Sequence, residues 1–318
     1  MANAFRKDCS NQRKLTSVAA VESGEIYCMS DGRAGVMSGV NAAASGDKVG
    51  FSVEGIYTVT KAAGWVGLDG GKVYWDHSAN SANYLKVNDK DFYLGTIVGD
   101  AASTDLTIDV NLNVEPVYLV DINRDPCTSV VVGTPAAGVF GYPKRVGGSH
   151  VLETSATSEA QKVDIVSDDG FAITANAIVE FAFNVVNDGA GTASDWNIGC
   201  ASGTHATDFE SIAEFIALHV DENALTVLAH SDDGTTDTAL VDTTVAHVVG
   251  TRYEGWIDLR DPTDPQVYCQ GDLVLGASDF GIDDGTGPLF LIAHLEKTTG
   301  TDTFEVAVDW LRARIAEV

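Results

Sequence analysis

Short runs of alternating apolar and polar residues, each ended by glycine, asparagine or aspartate, fill the chain from residue 21 to its end. In one such run Leu106, Ile108, Val110 and Leu112 alternate with polar side chains. Alternation with a period of two places the apolar side chains on one face of a strand. Closely spaced short runs are typical of antiparallel sandwiches and barrels. Because no amphipathic helix of any length is present, we predict an all-β protein.

The chain is too long for one hydrophobic core. It has 318 residues, whereas a single core rarely grows beyond about 250–300 residues. The stretch from 117 to 150 is rich in proline and glycine, which favours a linker. We therefore predict four segments, which are a flexible N-terminal arm (1–20), a small β-barrel or β-tulip-like domain (21–115), a linker (116–150) and a two-sheet jelly-roll sandwich (151–318).

The charge of the chain argues against whole classes of partner. The formal net charge is −27, which opposes binding to nucleic acid and to anionic membrane surfaces. No apolar run is long enough to span a membrane, and residues 1–20 lack the apolar block of a secretory signal. Residues 1–150 hold 13 basic and 16 acidic side chains, whereas residues 151–318 hold 6 and 30. The nearly neutral first half is therefore the better candidate for lying against another protein.

The five cysteines are scattered, with no pair at the spacing of a zinc or thioredoxin-like motif. Such single cysteines are typical of free thiols in a reducing compartment. The cysteines are Cys9, Cys28, Cys127, Cys200 and Cys269.

No catalytic motif is present, so we predict a protein that is not an enzyme and needs no cofactor. His219, His230 and His294 lie on predicted strands, where satisfied or solvent-facing histidines are more common than catalytic ones. Cys200 and His205 have no identifiable orienting residue. One acidic loop is a weak cation candidate, because calcium prefers oxygen ligands on a sharply turning loop, although a solvated Asp-Gly turn is the favoured interpretation. Its carboxylates are Asp232, Asp233 and Asp237.

Three segments of the predicted first domain occur in an order that resembles the phage capsid cement, or head decoration, proteins. They read VEGIYTVTKA at 53–62, GGKVYWD at 70–76 and LGTIVGDA at 94–101. The resemblance implies a small β domain that forms a homotrimer and binds the major capsid protein at junctions on the outer capsid surface. It also implies reinforcement of the head against internal DNA pressure, a location on the virion exterior and no enzymatic activity.

We expect capsid contacts from two places in the first half of the chain. Lys61 and Lys72 flank a loop that carries Trp65, although lysines on loops are often merely solvated. The N-terminal arm supplies further basic side chains and one aromatic ring. These arm residues are Phe5, Arg6, Lys7, Arg13 and Lys14.

The second domain resembles the concanavalin-like jelly rolls through YEGWID at 253–258 and VAVDWLR at 306–312. An alternative function is therefore that of a carbohydrate-binding adhesin on the virion surface, with Trp196 and Trp256 as glycan contacts. A third alternative is a polysaccharide-cleaving enzyme. That enzyme would need a cleft with two carboxylates about 5–10 Å apart, and the sequence identifies no such pair.

Overall fold

The structure, a computed structural model, describes residues 4–6, 12–17, 19–39, 41–136, 145–146, 148–191, 193–206, 208–273 and 280–316. The chain divides into two compact units, Met1–Val117 and Tyr118–Val318. In the described residues these units consist of strands, connecting turns and one short 3-10 turn, Phe209–Ser211. The all-β prediction is therefore confirmed. None of the described residues forms a helix with the length and apolar character needed to span a membrane.

The first unit is built from two antiparallel sheets. The larger sheet has the strand order β1-β6-β10-β9-β7-β8, and the smaller one has the order β2-β5-β4-β3. The strands are β1 (Ala4–Arg6), β2 (Gln12–Thr16), β3 (Ile26–Cys28), β4 (Ala34–Met37), β5 (Lys48–Ser52), β6 (Ile56–Thr60), β7 (Lys72–Asp76), β8 (Ser81–Asn83), β9 (Phe92–Ile97) and β10 (Thr107–Leu112). Within the described residues both sheets are open, so the expected barrel is wrong.

The core of the first unit follows from the alternation in its strands. Tyr57 and Val59 in β6 are buried, whereas Thr60 is exposed. Trp75 in β7 and Leu94 in β9 are almost fully buried in the same cluster. Because this cluster also takes in residues of β3 and β4, the two sheets pack against each other, and a second, smaller cluster includes Met37, Val49 and Phe51 of the smaller sheet.

The described part of the expected N-terminal arm is paired into these sheets. Strand β1 pairs with β6, and β2 pairs with β5. Each of the two is an edge strand. The expectation of a separate arm over residues 1–20 is therefore wrong at these positions, because their backbones complete sheet ladders although few apolar side chains mark them.

The second unit is a sandwich of two antiparallel sheets. One has the order β13-β14-β25-β16-β21-β22-β23, with β11 also paired to β25, and the other has the order β12-β15-β24-β17-β18-β19-β20. We call the latter the seven-stranded sheet. The strands are β11 (Val120–Asp121), β12 (Cys127–Val132), β13 (Arg145–Val146), β14 (Ser149–Glu153), β15 (Gln161–Ala172), β16 (Ala177–Asn187), β17 (Ser194–Ala201), β18 (Phe215–Asp221), β19 (Thr226–Asp232), β20 (Asp237–Ala246), β21 (Arg252–Asp258), β22 (Gln266–Cys269), β23 (Asp272–Leu273), β24 (Pro288–Lys297) and β25 (Glu305–Ile315).

The sandwich buries one large core between its sheets. Phe181 and Phe183 project from one sheet, and Trp196 and Leu291 project from the other, all fully buried. Aromatic rings meet there, with the centroids of Phe183 and Trp196 5.9 Å apart. The predicted two-sheet sandwich is therefore confirmed.

The expected linker at 116–150 is largely part of this sandwich. Val120 and Ile122 are buried in its core, and β12 pairs with β15 over six residues. Pro126 directly precedes β12 and Pro135 follows it, so these two prolines flank a paired strand. Residues 137–144 and 147 lie outside the described residues.

A buried cluster of charged and hydrogen-bonded side chains links Tyr118, at the start of the second unit, to strands β16 and β25 of the sandwich. The Glu180 carboxylate accepts hydrogen bonds from Nε of Arg312 at 3.1 Å and Nε of Arg314 at 2.8 Å. The Tyr118 hydroxyl donates to the same carboxylate at 3.0 Å, and its ring lies 4.4 Å from the Arg312 guanidinium. Burial alone raises the pKa of Glu180, but the two arginines outweigh it and lower the pKa. Glu180 is therefore a structural anion.

The described cysteines are free thiols, as predicted. Cys200 and Cys269 are buried, Cys127 is half-buried and Cys28 is exposed. Cys9 lies outside the described residues. Burial raises the pKa of Cys269 to about 12, so its thiol stays protonated and unreactive at neutral pH.

Gly199 in β17 marks a close approach between neighbouring strands. A Cβ atom there would lie 2.2 Å from the Ile216 carbonyl oxygen, whereas a Cβ at Gly203 would meet nothing within 4 Å. Overpacking of this kind costs about 1–3 kcal/mol. We expect Gly199→Ala to lower the calorimetric Tm of the second unit by roughly 2–10 °C, while Gly203→Ala leaves it nearly unchanged. Equal Tm values for the two variants would contradict this packing.

Candidate functional site

A grid of eight polar side chains lies on the outer face of the seven-stranded sheet. Strands β15, β24, β17 and β18 are neighbours, and each contributes two polar residues spaced by two. Residues between them, such as Trp196 and Leu295, face the sandwich core. The strand register forms a first row of Asp164, His294, Asn197 and His219 and a second row of Lys162, Glu296, Asp195 and Asp221.

A chain of alternating charges begins at the β15 side of the grid. Nζ of Lys162 lies 3.0 Å from Oδ2 of Asp164, and Oδ1 of Asp164 lies 2.7 Å from Nδ1 of His294. Nε2 of His294 is 2.6 Å from Oε2 of Glu296. Lys162, Asp164 and His294 are at most 1% exposed. Burial lowers the pKa of His294, but its bonds to the two carboxylates outweigh this and raise the pKa to about 9.

Asn197 joins the two histidines on the other side of the grid. Its Oδ1 lies 2.9 Å from Nδ1 of His219 and 2.9 Å from Nε2 of His230. Nε2 of His219 lies 2.9 Å from Oδ1 of Asp221. Burial, followed by the charge of His219, lowers the pKa of His230 to about 3. Burial opposes protonation of His219 too, but the Asp221 bond and nearby carboxylates raise its pKa. His230 is therefore neutral at neutral pH, whereas the surroundings of His219 favour its protonated form.

Asp195 connects the grid to a cavity of about 510 Å³ on the second-row side. It is half-buried, whereas Glu296 beside it is 4% exposed. Burial and the charge of Glu296 together raise the pKa of Asp195 to about 8. Asp195 therefore holds a proton at neutral pH, next to a buried histidine and a second carboxyl group.

The 3-10 turn Phe209–Ser211 covers part of the grid. The Phe209 ring centroid lies 5.3 Å from that of His294 and 5.5 Å from that of His230. The Asp208 side chain caps this turn by accepting from the Glu210 amide. Asp208 and Glu210 also line the cavity, so the turn adds two further carboxylates to its wall.

The sequence contains a signal for this grid that motif searching overlooks. Each strand carries two polar residues at i and i+2 within an otherwise apolar run, at 162/164, 195/197, 219/221 and 294/296. The expectation that His219, His230 and His294 are satisfied strand histidines is confirmed for each. However, only strand order reveals that these pairs meet. The structure also brings together two carboxylates, of Asp195 and Glu296, where the sequence identified no pair.

The candidate glycan contacts differ in their exposure. Trp196 is fully buried in the sandwich core, so the expectation that it contacts glycans is wrong. Trp256 is half-buried on the outer face of the other sheet. Its ring stacks on Tyr268 with centroids 5.6 Å apart.

The candidate cation loop at 231–237 is held by its own backbone. Oδ1 of Asp232 accepts from the Gly234 amide at 2.8 Å. Oδ1 of Asp233 accepts from the amides of Thr235 and Thr236 at 2.8 and 2.6 Å, and Asp237 pairs with Asp232 in the ladder of β19 and β20. These are the contacts of an Asp-Gly turn. Among the described residues, the side chains close enough together to hold a metal ion are Asp195, His294 and Glu296, which do not belong to this loop.

Two of the expected capsid contacts are buried. Lys61 is 3% exposed and Trp65 is 2% exposed. The Lys61 ammonium donates to the carbonyls of Ala62 and Asp105 at 3.2 and 3.4 Å and lies 4.7 Å from the Trp65 ring centroid. The expectation of capsid contact through these side chains is therefore wrong, because both support the core of the first unit.

The remaining capsid candidates are more accessible or lie outside what the structure describes. Lys14 in β2 is exposed, and the Arg13 side chain, 38% exposed, pairs with Asp31. Nζ of Lys72 lies 3.1 Å from Oε2 of Glu115, and the Lys72 side chain is 25% exposed. For Phe5 and Arg6 only the backbone pairing of β1 is described, and Lys7 lies outside the described residues.

Comparison with known proteins finds one family. Residues 10–112 match the family model described as phage cement protein. The match falls inside the first unit and runs from before β2 to the end of β10. The resemblance of this unit to the cement proteins is therefore confirmed. No curated protein sequence matches the chain.

Solved structures are similar to the chain only remotely. An endo-acting O-glycanase of the human gut microbiota shares 12% identity, with a TM-score of 0.44, over 64% of this chain and 100% of that one. LamAcat from Zobellia galactanivorans shares 12% identity, with a TM-score of 0.41, over 62% and 96%. The carbohydrate-binding module CBM66 from Bacillus subtilis shares 12% identity, with a TM-score of 0.36, over 60% and 96%. Similarity this distant assigns no activity to the chain.

The charge chain at the β15 side of the grid predicts a large effect of Lys162→Met. This change keeps most of the side-chain volume but leaves the Asp164 carboxylate buried without its lysine. Removing one partner of a buried ion pair costs about 3–5 kcal/mol. We expect the calorimetric Tm of the second unit to fall by about 6 °C or more. Lys90→Met, at an exposed position, is the control and is expected to leave the Tm unchanged. An unchanged Tm for Lys162→Met would show that this pair contributes nothing.

Proposed function

We propose that the protein is a phage capsid decoration protein that binds the capsid through its first unit. The match of residues 10–112 to the phage cement protein family is the observation that carries this proposal. The matched residues coincide with a unit that has its own two sheets and core. The functional assignment therefore applies to a complete folded unit and not to a scattered motif.

We further propose that the protein acts as a homotrimer on the outer capsid surface, at junctions between major capsid proteins, and that it reinforces the head against internal DNA pressure. Binding through three copies of a small interface multiplies the effective affinity, so that moderate contacts give stable attachment. The distribution of charge supports this arrangement. The nearly neutral first half suits close contact with protein, while the strongly acidic second half favours exposure to water.

Edge strand β2 is the part of the first unit that we assign to capsid contact. Strand β2 pairs with β5 on one side, and its other side forms an edge of the smaller sheet. Exposed Lys14 projects from this strand, with Arg13 beside it. Basic side chains at a sheet edge discourage pairing with copies of the same edge and favour acidic partners.

Purified particles of the phage that encodes the chain provide the direct test. We expect mass spectrometry to find the protein in numbers comparable to the major capsid protein, and sedimentation of the free protein to give the mass of a trimer. Electron microscopy of the particles should place the first unit against the shell. Absence from the head exterior, or attachment through the second unit alone, would contradict the proposal.

Charge reversal at the edge strand tests the contact itself. We expect Lys14→Glu to weaken binding of the full chain to undecorated capsids about tenfold or more in a co-sedimentation titration, because it places a carboxylate against an acidic surface. The matched control is Lys90→Glu, which makes the same change at an exposed loop position. If Lys14→Glu decorates capsids as tightly as Lys90→Glu does, β2 is not the contact strand.

Glycan binding by the second unit is a second candidate function, favoured by the half-buried Trp256 ring stacked on Tyr268. A partly exposed indole on a flat sheet suits stacking against a sugar ring. On a glycan array we expect the full chain to bind, Trp256→Ala to lose that binding and Trp256→Phe, which keeps a flat ring, to retain part of it. Glycan binding that survives Trp256→Ala would exclude the Trp256 and Tyr268 rings as the binding surface.

A further inference from the structure

Three side chains of the polar grid bring potential metal-ligand atoms to one place. One ligand atom each from Asp195, His294 and Glu296 lie within 4.8 Å of one another. They come from the adjacent strands β17 and β24, and Asp195 and Glu296 are direct partners across the ladder. Two rigid central strands therefore hold the set, which makes its geometry independent of any loop.

The surroundings of His294 resemble those of a metal-binding histidine. Its Nδ1 lies 2.7 Å from Oδ1 of Asp164, while its Nε2 faces Glu296 at 2.6 Å. A carboxylate on one imidazole nitrogen fixes the tautomer and directs the other nitrogen toward a metal. Asp164 is itself fully buried and held by Lys162. This ordered outer shell is an observation separate from the proximity of the three ligands.

We propose that Asp195, Glu296 and Nε2 of His294 bind a divalent first-row transition ion, with Zn²⁺ or Mn²⁺ as the class that fits. One imidazole nitrogen with two carboxylate oxygens is a donor set that these ions accept. Calcium prefers six or more oxygen ligands and has less use for a histidine. The cavity beside Asp195 leaves room for water or a ligand atom in the remaining coordination positions.

The site needs only small movements to accept the ion. Ligand atoms about 2.0–2.2 Å from a common metal are roughly 3.0–3.5 Å apart when they are neighbours in the coordination shell. The His294–Glu296 separation of 2.6 Å therefore opens by less than about 1 Å. The ion takes the place of the proton between these two groups, so the imidazole binds as the neutral base. Half-buried Asp195 releases its proton to solvent as it turns its carboxylate toward the ion from the cavity side.

Titration of the full chain with Zn²⁺ alone, after removal of metals with a chelator, tests the site. We expect one ion per chain by isothermal titration calorimetry. Asp195→Asn is the principal variant, because the residue is half-buried and the change preserves shape, so the fold survives. We expect it to weaken binding at least tenfold. Asp232→Asn, in an acidic loop that does not belong to the site, is the matched control and should bind like the unaltered protein.

Mn²⁺ provides a second measurement that does not depend on affinity alone. Electron spin echo spectra of the Mn²⁺-loaded chain should show coupling to one imidazole nitrogen, and Glu296→Gln should weaken Mn²⁺ binding as Asp195→Asn does. Failure of both ions to bind stoichiometrically would overturn the proposal and leave His294 as an ion-pair partner of Asp164 and Glu296 alone. Binding that Asp195→Asn and Glu296→Gln leave unchanged, or spectra without nitrogen coupling, would overturn it equally.

Discussion

The central strands of the seven-stranded sheet are buried on both faces, and this constraint shapes the second unit. In β24 nearly every side chain from Leu289 to Lys297 is buried, although only alternate residues reach the sandwich core. The remaining side chains, on the opposite face, must be covered by other parts of the chain. The polar side chains among them must also pair with one another, because a buried polar group without a partner is costly. At one end Phe209, Phe215 and Ile292 form an apolar cluster that meets this requirement. At the other end the polar grid meets it through charge pairing.

The period-two alternation was enough to predict strands and a sandwich, because it depends on local burial alone. The order of the strands in a sheet depends on contacts between residues that are distant in sequence. The sequence alone therefore did not predict the polar grid, although each pair of polar residues at i and i+2 is visible in it. Burial of Trp196 and Lys61 was missed for a related reason. A tryptophan or lysine between turns looks exposed until the neighbouring strand that covers it is known. The sequence also failed to predict the edge strands β1 and β2, because these strands are paired in the sheets although their residues show no apolar alternation.

The described ion pairs of the first unit are all at least partly exposed, whereas the second unit has buried ion pairs as well as partly exposed ones. In the first unit the ion pairs of Arg13 and Lys72 are at least partly exposed, so they contribute little to stability and are free to rearrange against another protein. In the second unit the ion pairs of Lys162 and Arg314 are buried and fixed. A surface that adapts suits attachment to a large assembly, whereas a fixed charge array suits a ligand of defined geometry.

Stability alone does not account for the polar grid. Buried ion pairs are seldom more stabilising than apolar side chains of the same volume, because desolvation offsets their attraction. The apolar cluster at the other end of the same face shows that this sheet can be covered without charges. Burial also decreases in one direction, from fully buried Asp164 through Glu296 to half-buried Asp195 at the cavity. A charged array that opens at one end to a cavity has the form of a binding site whose ligand groups are fixed by the buried residues behind them. A network with a purely structural role would not need this difference in burial between its two ends.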